Sequence, residues 1–216
     1  MIFAKNTLVS IRSGKLDLEG VINAPLDAPR DASAVVVCHP HPQFGGDMNN
    51  EVISKIVACL QVKNIVALRF NFRGVGESNG SYDHGKGELD DLKASIRFLS
   101  NYPGVNKRRI GVAGYSFGAG VALYGSPALK SVKAFAFVSP PATILEHQIK
   151  LPKKVPLLFV SGSNDASTPA NLLTQQLSNI QAEAKLEIVN GATHFWSDQE
   201  EDAAKIVADF FHQKLI

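Results

Sequence analysis

The sequence predicts an α/β protein: a mostly parallel central sheet with helices on both faces, preceded by an antiparallel hairpin. Three observations carry this reading. From Ala34 onward, short continuous apolar runs recur, as expected of strands covered on both faces. Patterns of helical period alternate with them, which is the texture of repeated strand–helix units. Before Ala34, apolar and polar residues alternate one by one, as in a half-buried hairpin.

In that hairpin Leu16, Leu18 and Ile22 oppose Asp17 and Glu19, after Leu8-Val9-Ser10-Ile11 and a turn at Ser13-Gly14. Pro25 and Pro29 mark the loop that follows. The apolar runs then come at Ala34 to Cys38, Ile65 to Phe70 (broken by Arg69), Ile110 to Ala113, Ala134 to Val138, Leu157 to Val160 and Leu186 to Val189 (broken by Glu187). Between them, Val52, Ile53, Ile56, Val57 and Leu60 recur at helical spacing. So do Leu89, Leu92, Ile96 and Leu99, then Leu173, Leu177 and Ile180, and finally Ala203, Ile206, Val207 and Phe210. Thr168-Pro169 reads as a capping hydroxyl before a first-turn proline, and Ser197 to Glu200 as a capping box with acids in the first turn. Residues Ser139 to Lys154 hold a helix-compatible stretch, Ala142 to Ile149, too short for a lid domain. The strand ends are therefore expected to lie open to solvent.

With 216 residues, the chain suits one domain, residues 1–216, with a sizeable core. At 45% hydrophobic and 19% charged it reads as globular and soluble. A net charge of +2, with adjacent basic residues only in the short stretches Lys107-Arg108-Arg109 and Lys153-Lys154, argues against nucleic acid as a partner. The first residues lack the succession of a secretory signal, and no run reaches the roughly 18 apolar residues of a membrane span. Cys38 and Cys59 fit as small hydrophobes rather than a disulfide framework, so the expected location is the cytoplasm.

The chemistry centres on Gly114-Tyr115-Ser116-Phe117-Gly118, a G-x-S-x-G pattern at the end of a strand-like run. Glycines at both flanks allow a strand to turn sharply into a helix against close neighbours, leaving the serine at the apex. In open α/β sheets, reactive groups gather at the carboxyl ends of strands. Ser116 follows one apolar run, Asp165 the next but one, and His194 the last. A serine hydroxyl needs an imidazole to accept its proton, and the imidazole needs a carboxylate to hold its tautomer. Singly, the three could be a helix cap, a turn residue and a loop histidine. Jointly, in the order Ser, Asp, His, they form the candidate catalytic set. His84, His147 and His212 follow no strand closely, and Glu146 is the one rival acid.

A tetrahedral intermediate needs backbone donors. Phe117 N–H, directly after the serine, is one candidate. The other should come from His39-Pro40-His41-Pro42-Gln43-Phe44-Gly45-Gly46, where the prolines have no N–H. His41 is the expected donor, with Gln43 as the alternative. His39 reads as a structural hydrogen-bonding residue, and two imidazoles without a matched third ligand do not make a metal site. Gly74-Val75-Gly76-Glu77-Ser78-Asn79-Gly80 mimics a dinucleotide fingerprint, but its third glycine falls one residue late, so it reads as a tight turn and flexible loop. No cofactor or metal is expected. Phe44, Met48, Phe117, Ile144, Leu145 and Trp196 are candidates to line an apolar pocket.

Together, Gly114 to Gly118, Ser161-Gly162-Ser163-Asn164-Asp165 with Pro169, and Gly191-Ala192-Thr193-His194-Phe195 resemble the α/β-hydrolase superfamily. The stretches His39 to Asn50 and Asn71 to Ser78 are similar to those of small, capless bacterial hydrolases related to dienelactone hydrolases. The resemblance implies an α/β-hydrolase fold without a large cap. It also implies a carboxylic-ester hydrolase acting on a small-molecule ester or thioester, with Ser116 as nucleophile, His194 as base and Asp165 as orienter. Dienelactone hydrolases themselves carry cysteine at the nucleophile position, and the HGGG form of many lipases is absent here. An amidase or small peptidase with the same residues, or a non-catalytic binding or sensor protein on the same fold, are the alternatives.

Overall fold

The computed structural model of the protein describes residues 4–142, 151–178 and 182–216. One eight-stranded sheet has the order β1-β2-β4-β3-β5-β6-β7-β8. Strands β1 (Ala4–Ser13) and β2 (Leu16–Pro25) form the antiparallel hairpin, and β2 runs antiparallel to β4 (Val66–Phe70). Strands β3 (Ala32–Cys38), β5 (Val105–Tyr115), β6 (Ala134–Val138), β7 (Leu157–Gly162) and β8 (Ala184–Val189) complete the parallel part with β4. Ser13 pairs with Leu16, so the hairpin turn is Gly14-Lys15, one residue later than expected.

Helices α1 (Glu51–Val62) and α5 (Glu200–Leu215) cover one face, where Val52, Ile56 and Leu60 share a core with Val207, Phe210 and Phe211. On the other face, α2 (Lys86–Ser100), α3 (Phe117–Gly125) and α4 (Ala170–Ser178) contribute Leu92, Ile96, Ala119, Leu123 and Leu173 to the second core. The apolar runs of the inner strands have the expected cause, whereas β8, at the sheet edge and paired on one side only, with β7, has no buried residue, contrary to the expectation for Leu186 to Val189. Every residue of β3 and of β6 is buried, since both sheet faces are roofed by helices.

Three local expectations differ. Strand β5 starts at Val105 rather than Ile110, because Asn106 to Arg109 extend beyond the roofing helices and stay polar. Thr168 does not cap α4: it is fully buried, and its hydroxyl donates instead to Pro140 O at 2.8 Å. Helix α5 begins at Glu200 with Gln199 as its N-cap and no side-chain cap. Its first-turn acids Glu200, Glu201 and Asp202 face the positive helix end as expected. The helix expected over Ala142 to Ile149, with Glu146 and His147, lies outside the described residues beyond Ala142.

Candidate functional site

The strand β5 ends on a turn so tight that it depends on two glycines. A Cβ on Gly114 would stand 2.5 Å from Ala119 N in the helix that follows, and one on Gly118 would stand 2.4 Å from Cys38 O at the end of β3. Between them Ser116 has φ +50° and ψ −113°, a strained conformation for a residue with a side chain. The strain is held by the backbone on both sides: Ser116 N–H donates to Val138 O (2.9 Å) and Gly120 N–H to Ser116 O (2.9 Å). The serine is thereby lifted above the sheet at the N-terminus of α3.

Asp165 and His194 arrive on two loops that are laced together. Ser163 N–H donates to Val189 O and Asn164 N–H to Ala192 O, both at 2.9 Å, while Gly191 N–H donates to Ser163 Oγ at 2.8 Å. His194 is also held from β5, where the Tyr115 hydroxyl donates to its carbonyl oxygen at 2.7 Å. Burial pushes the Tyr115 hydroxyl up to about 12, helped by the charges of Asp165 and Glu200, so it remains a donor.

These loops bring the three sequence-derived residues into one hydrogen-bonded line. Ser116 Oγ lies 3.0 Å from His194 Nε2, and His194 Nδ1 lies 3.1 Å from both Asp165 oxygens. The Asp165 side chain is fully buried. Burial alone would raise its carboxyl, but the hydrogen bonds from His194 and Ser139, the His194 charge and the Thr168 N–H outweigh it and hold the group below its ordinary value. Ser167 N–H and Thr168 N–H both donate to Oδ1 at 2.9 Å. The aspartate is therefore an anion fixed on one side and free to accept from imidazole on the other.

Ser139 escaped the sequence reading. It ends β6, is fully buried, and has φ +44°. Its Oγ accepts from Trp196 Nε1 at 3.0 Å and donates to Asp165, bracing the acid from below. The strand-end rule that found Asp165 and His194 applies equally to Ser139, which immediately follows Val138.

The loop after β3 is shaped by His39. Its ring is fully buried, donates from Nδ1 to Pro40 O (2.7 Å) and accepts at Nε2 from Phe72 N–H (3.0 Å). Burial pushes it down to about 4, against the Pro40 hydrogen bond and the Asp47 charge, so it is neutral and structural, as expected. His41 caps the one-turn 3-10 helix at Pro42–Phe44: its Nδ1 accepts from Gln43 N–H at 3.2 Å. That bond engages the Gln43 N–H. The N–H groups of His41 and Phe117 donate to no described residue, and their rings lie 4.9 Å apart between centroids.

Of the proposed pocket residues, Met48 and Trp196 are core instead, 4% and 0% exposed, while Phe117 and Phe44 stand at the site. Ile144 and Leu145 lie outside the described residues. The segment Gly74 to Gly80 is pinned rather than loose. Glu19 Oε2 accepts from Asn71 Nδ2 (2.7 Å) and Glu77 N–H (3.1 Å), and Ser78 Oγ donates to Asn71 O (2.7 Å). Among the described residues no cluster of three or more His, Cys, Asp or Glu could hold a metal, and no helix is long and apolar enough to cross a membrane.

Fold and strand-end geometry define an α/β hydrolase. Comparison with known proteins narrows the class. The family model of the dienelactone hydrolases matches residues 81–213, and the chain belongs to the dienelactone hydrolase family. An uncharacterized protein of Rickettsia prowazekii is 33% identical over 189 residues, covering 83% of this chain and 79% of that one. Among solved structures, a lidless α/β serine hydrolase of Xanthomonas campestris superposes with a TM-score of 0.85 at 25% identity, over 98% of this chain and 95% of that one. An α/β serine hydrolase homologue of Coxiella burnetii gives 0.82 at 29% identity, over 95% and 96%. The protein is thus a hydrolase with an α/β-hydrolase fold.

Proposed function

We propose that this hydrolase is a serine esterase: it cleaves a small carboxylic ester or thioester through an acyl-enzyme, with Ser116 as nucleophile, His194 as base and Asp165 as orienter. The observation that carries the reading is the unbroken line from Ser116 Oγ to His194 Nε2 (3.0 Å) and from His194 Nδ1 to Asp165 (3.1 Å). His194 takes the Ser116 proton as Oγ bonds to the carbonyl carbon, and the imidazolium that forms is stabilised by the buried Asp165 anion. The oxyanion is met by the N–H groups of Phe117 and His41, each worth about 100- to 1,000-fold in rate for such donors. Collapse breaks the bond to the leaving oxygen or sulfur, which receives its proton from His194. A water deprotonated by His194 then attacks the acyl carbon, and the acid leaves with Ser116 restored. Cys38 and Cys59 are both free thiols, which suits the reducing cytoplasm.

The test is a panel of p-nitrophenyl esters of graded chain length beside the matching anilides. Turnover of short esters well above anilides is expected, and Ser116→Ala should lower kcat by at least about 10,000-fold. Anilide turnover equal to ester turnover would replace the esterase with an amidase. A Ser116→Ala variant of near wild-type rate would remove the mechanism.

A further inference from the structure

We propose that the surface beside Ser116 and His194 is a subsite for a flat, uncharged aromatic group, so that the preferred esters carry an aryl ring close to the scissile bond. The proposal rests on the serine-hydrolase reading and narrows its substrate class. His41 stands at the centre of an aromatic cluster, with ring centroids 4.8 Å from Phe44, 4.9 Å from Phe117 and 5.2 Å from Tyr82. Tyr82 also lies 5.7 Å from Phe117, and its hydroxyl is 3.3 Å from His41 Nε2. The buried Phe72 meets Phe117 edge-on at 5.8 Å and fixes the layer to the core. On the histidine side, the Phe195 ring stands edge-on to His194 at 5.9 Å.

Exposure separates these rings from ordinary core. Of the described phenylalanines only Phe44 (87%) and Phe195 (76%) are mostly exposed; the first packs on His41, whose ring also meets Phe117 next to Ser116, and the second on His194. Large apolar side chains kept in water at a reactive site mark a surface awaiting a partner. Their tilted and edge-on arrangement offers ring faces and edges to a further ring, which gains beyond mere burial from such contacts. The two arginines at and just after the end of β4 are already paired. Arg73 is committed to Asp91 through Nε (2.9 Å) and Nη2 (2.8 Å), and Arg69 to Met48 O (3.1 Å) and Asn49 Oδ1 (2.9 Å). Burial also lowers the His41 imidazole below its ordinary value, favouring the neutral ring. A carboxylate-bearing group would meet none of these cations unpaired.

Matched pairs test this in the full-length protein: ethyl phenylacetate against ethyl cyclohexylacetate for the acyl side, and benzyl acetate against cyclohexylmethyl acetate for the alcohol side. Cyclohexyl is the more hydrophobic member, so a merely greasy surface would prefer it. The subsite requires kcat/KM to favour the phenyl member of at least one pair by roughly two- to tenfold, and Phe44→Leu or Phe195→Leu to bring that ratio toward one. Which pair responds assigns the ring to the acyl or the alcohol side. Equal rates for both members of both pairs, or a ratio untouched in both variants, would overturn the subsite, while fluorophosphonate labelling of Ser116 in the same samples would leave the hydrolase reading standing. Absence of both turnover and labelling would overturn the two together.

Discussion

Replacing His39 with glutamine should change how stability depends on pH, and the structure sets the size of the effect. The ring is fully buried, with its only proton on Nδ1 donated to Pro40 O and Nε2 accepting from Phe72 N–H. Protonating Nε2 would turn that acceptor into a donor facing the Phe72 N–H, so the native state refuses the proton down to about pH 4. An unfolded histidine titrates near 6.5. Between those values the unfolded chain holds a proton that the folded chain lacks, so stability falls as pH falls through this window. The interval from 6.5 to about 4, at roughly 1.4 kcal/mol per pH unit, amounts to about 3 kcal/mol. His39→Gln retains an acceptor for Phe72 but cannot titrate. Near pH 7.5 it should be less stable than wild type by about 1–2 kcal/mol, from one lost hydrogen bond and a poorer fit against Phe72. That deficit should shrink and then reverse as pH approaches 4. Urea unfolding at half-unit intervals from pH 7.5 to 4.5 gives the comparison, and the five other histidines, common to both proteins, cancel in the difference. Parallel stability curves would refute the assignment of His39 as a buried neutral imidazole.

Three further substitutions probe the frame of the site. Gly118→Ala is expected to destabilise by about 1–3 kcal/mol despite the helix preference for alanine, because its Cβ would meet Cys38 O at 2.4 Å; thermal melting should fall by several degrees, and an unchanged melting point would contradict the close approach. Ser139→Ala removes a hydrogen bond to Asp165 and strands the Trp196 N–H, for about 1–3 kcal/mol. Since the depressed carboxyl contributes stability that is lost as pH falls, weakening its support should also move acid unfolding to higher pH, measurable by far-UV circular dichroism. Tyr115→Phe deletes the 2.7 Å bond to His194 O and should lower kcat more than it raises KM, because it loosens the imidazole rather than a substrate contact.

The inner parallel strands were legible because helices roof both sheet faces, and an apolar run such as Ala34 to Cys38 has no other common explanation. Strand β5 was only half legible. Its first five residues extend past the helices and carry Asn106 to Arg109, so the hydrophobic signal begins late. Ser116, Asp165 and His194 could be found because loops at strand ends are the places where this topology makes side chains converge, and the structure brings them within hydrogen-bond distance. The fate of Trp196 was not legible. The sequence shows a tryptophan beside a site histidine, whereas a backbone φ of +59° turns its indole into the core toward Ser139. Ser139 and Tyr115 were missed for a related reason: their roles depend on partners 26 and 79 residues distant, Asp165 and His194, which no local pattern connects.

The central claim is that Ser116 is the nucleophile, and covalent labelling addresses it without knowledge of the substrate. The protein is treated with a fluorophosphonate, digested and mapped by mass spectrometry, beside Ser116→Ala and His194→Ala. One adduct per chain is expected, on the peptide containing Ser116, with labelling abolished in Ser116→Ala and strongly slowed in His194→Ala. An adduct on another residue, or undiminished labelling of Ser116→Ala, would contradict the account.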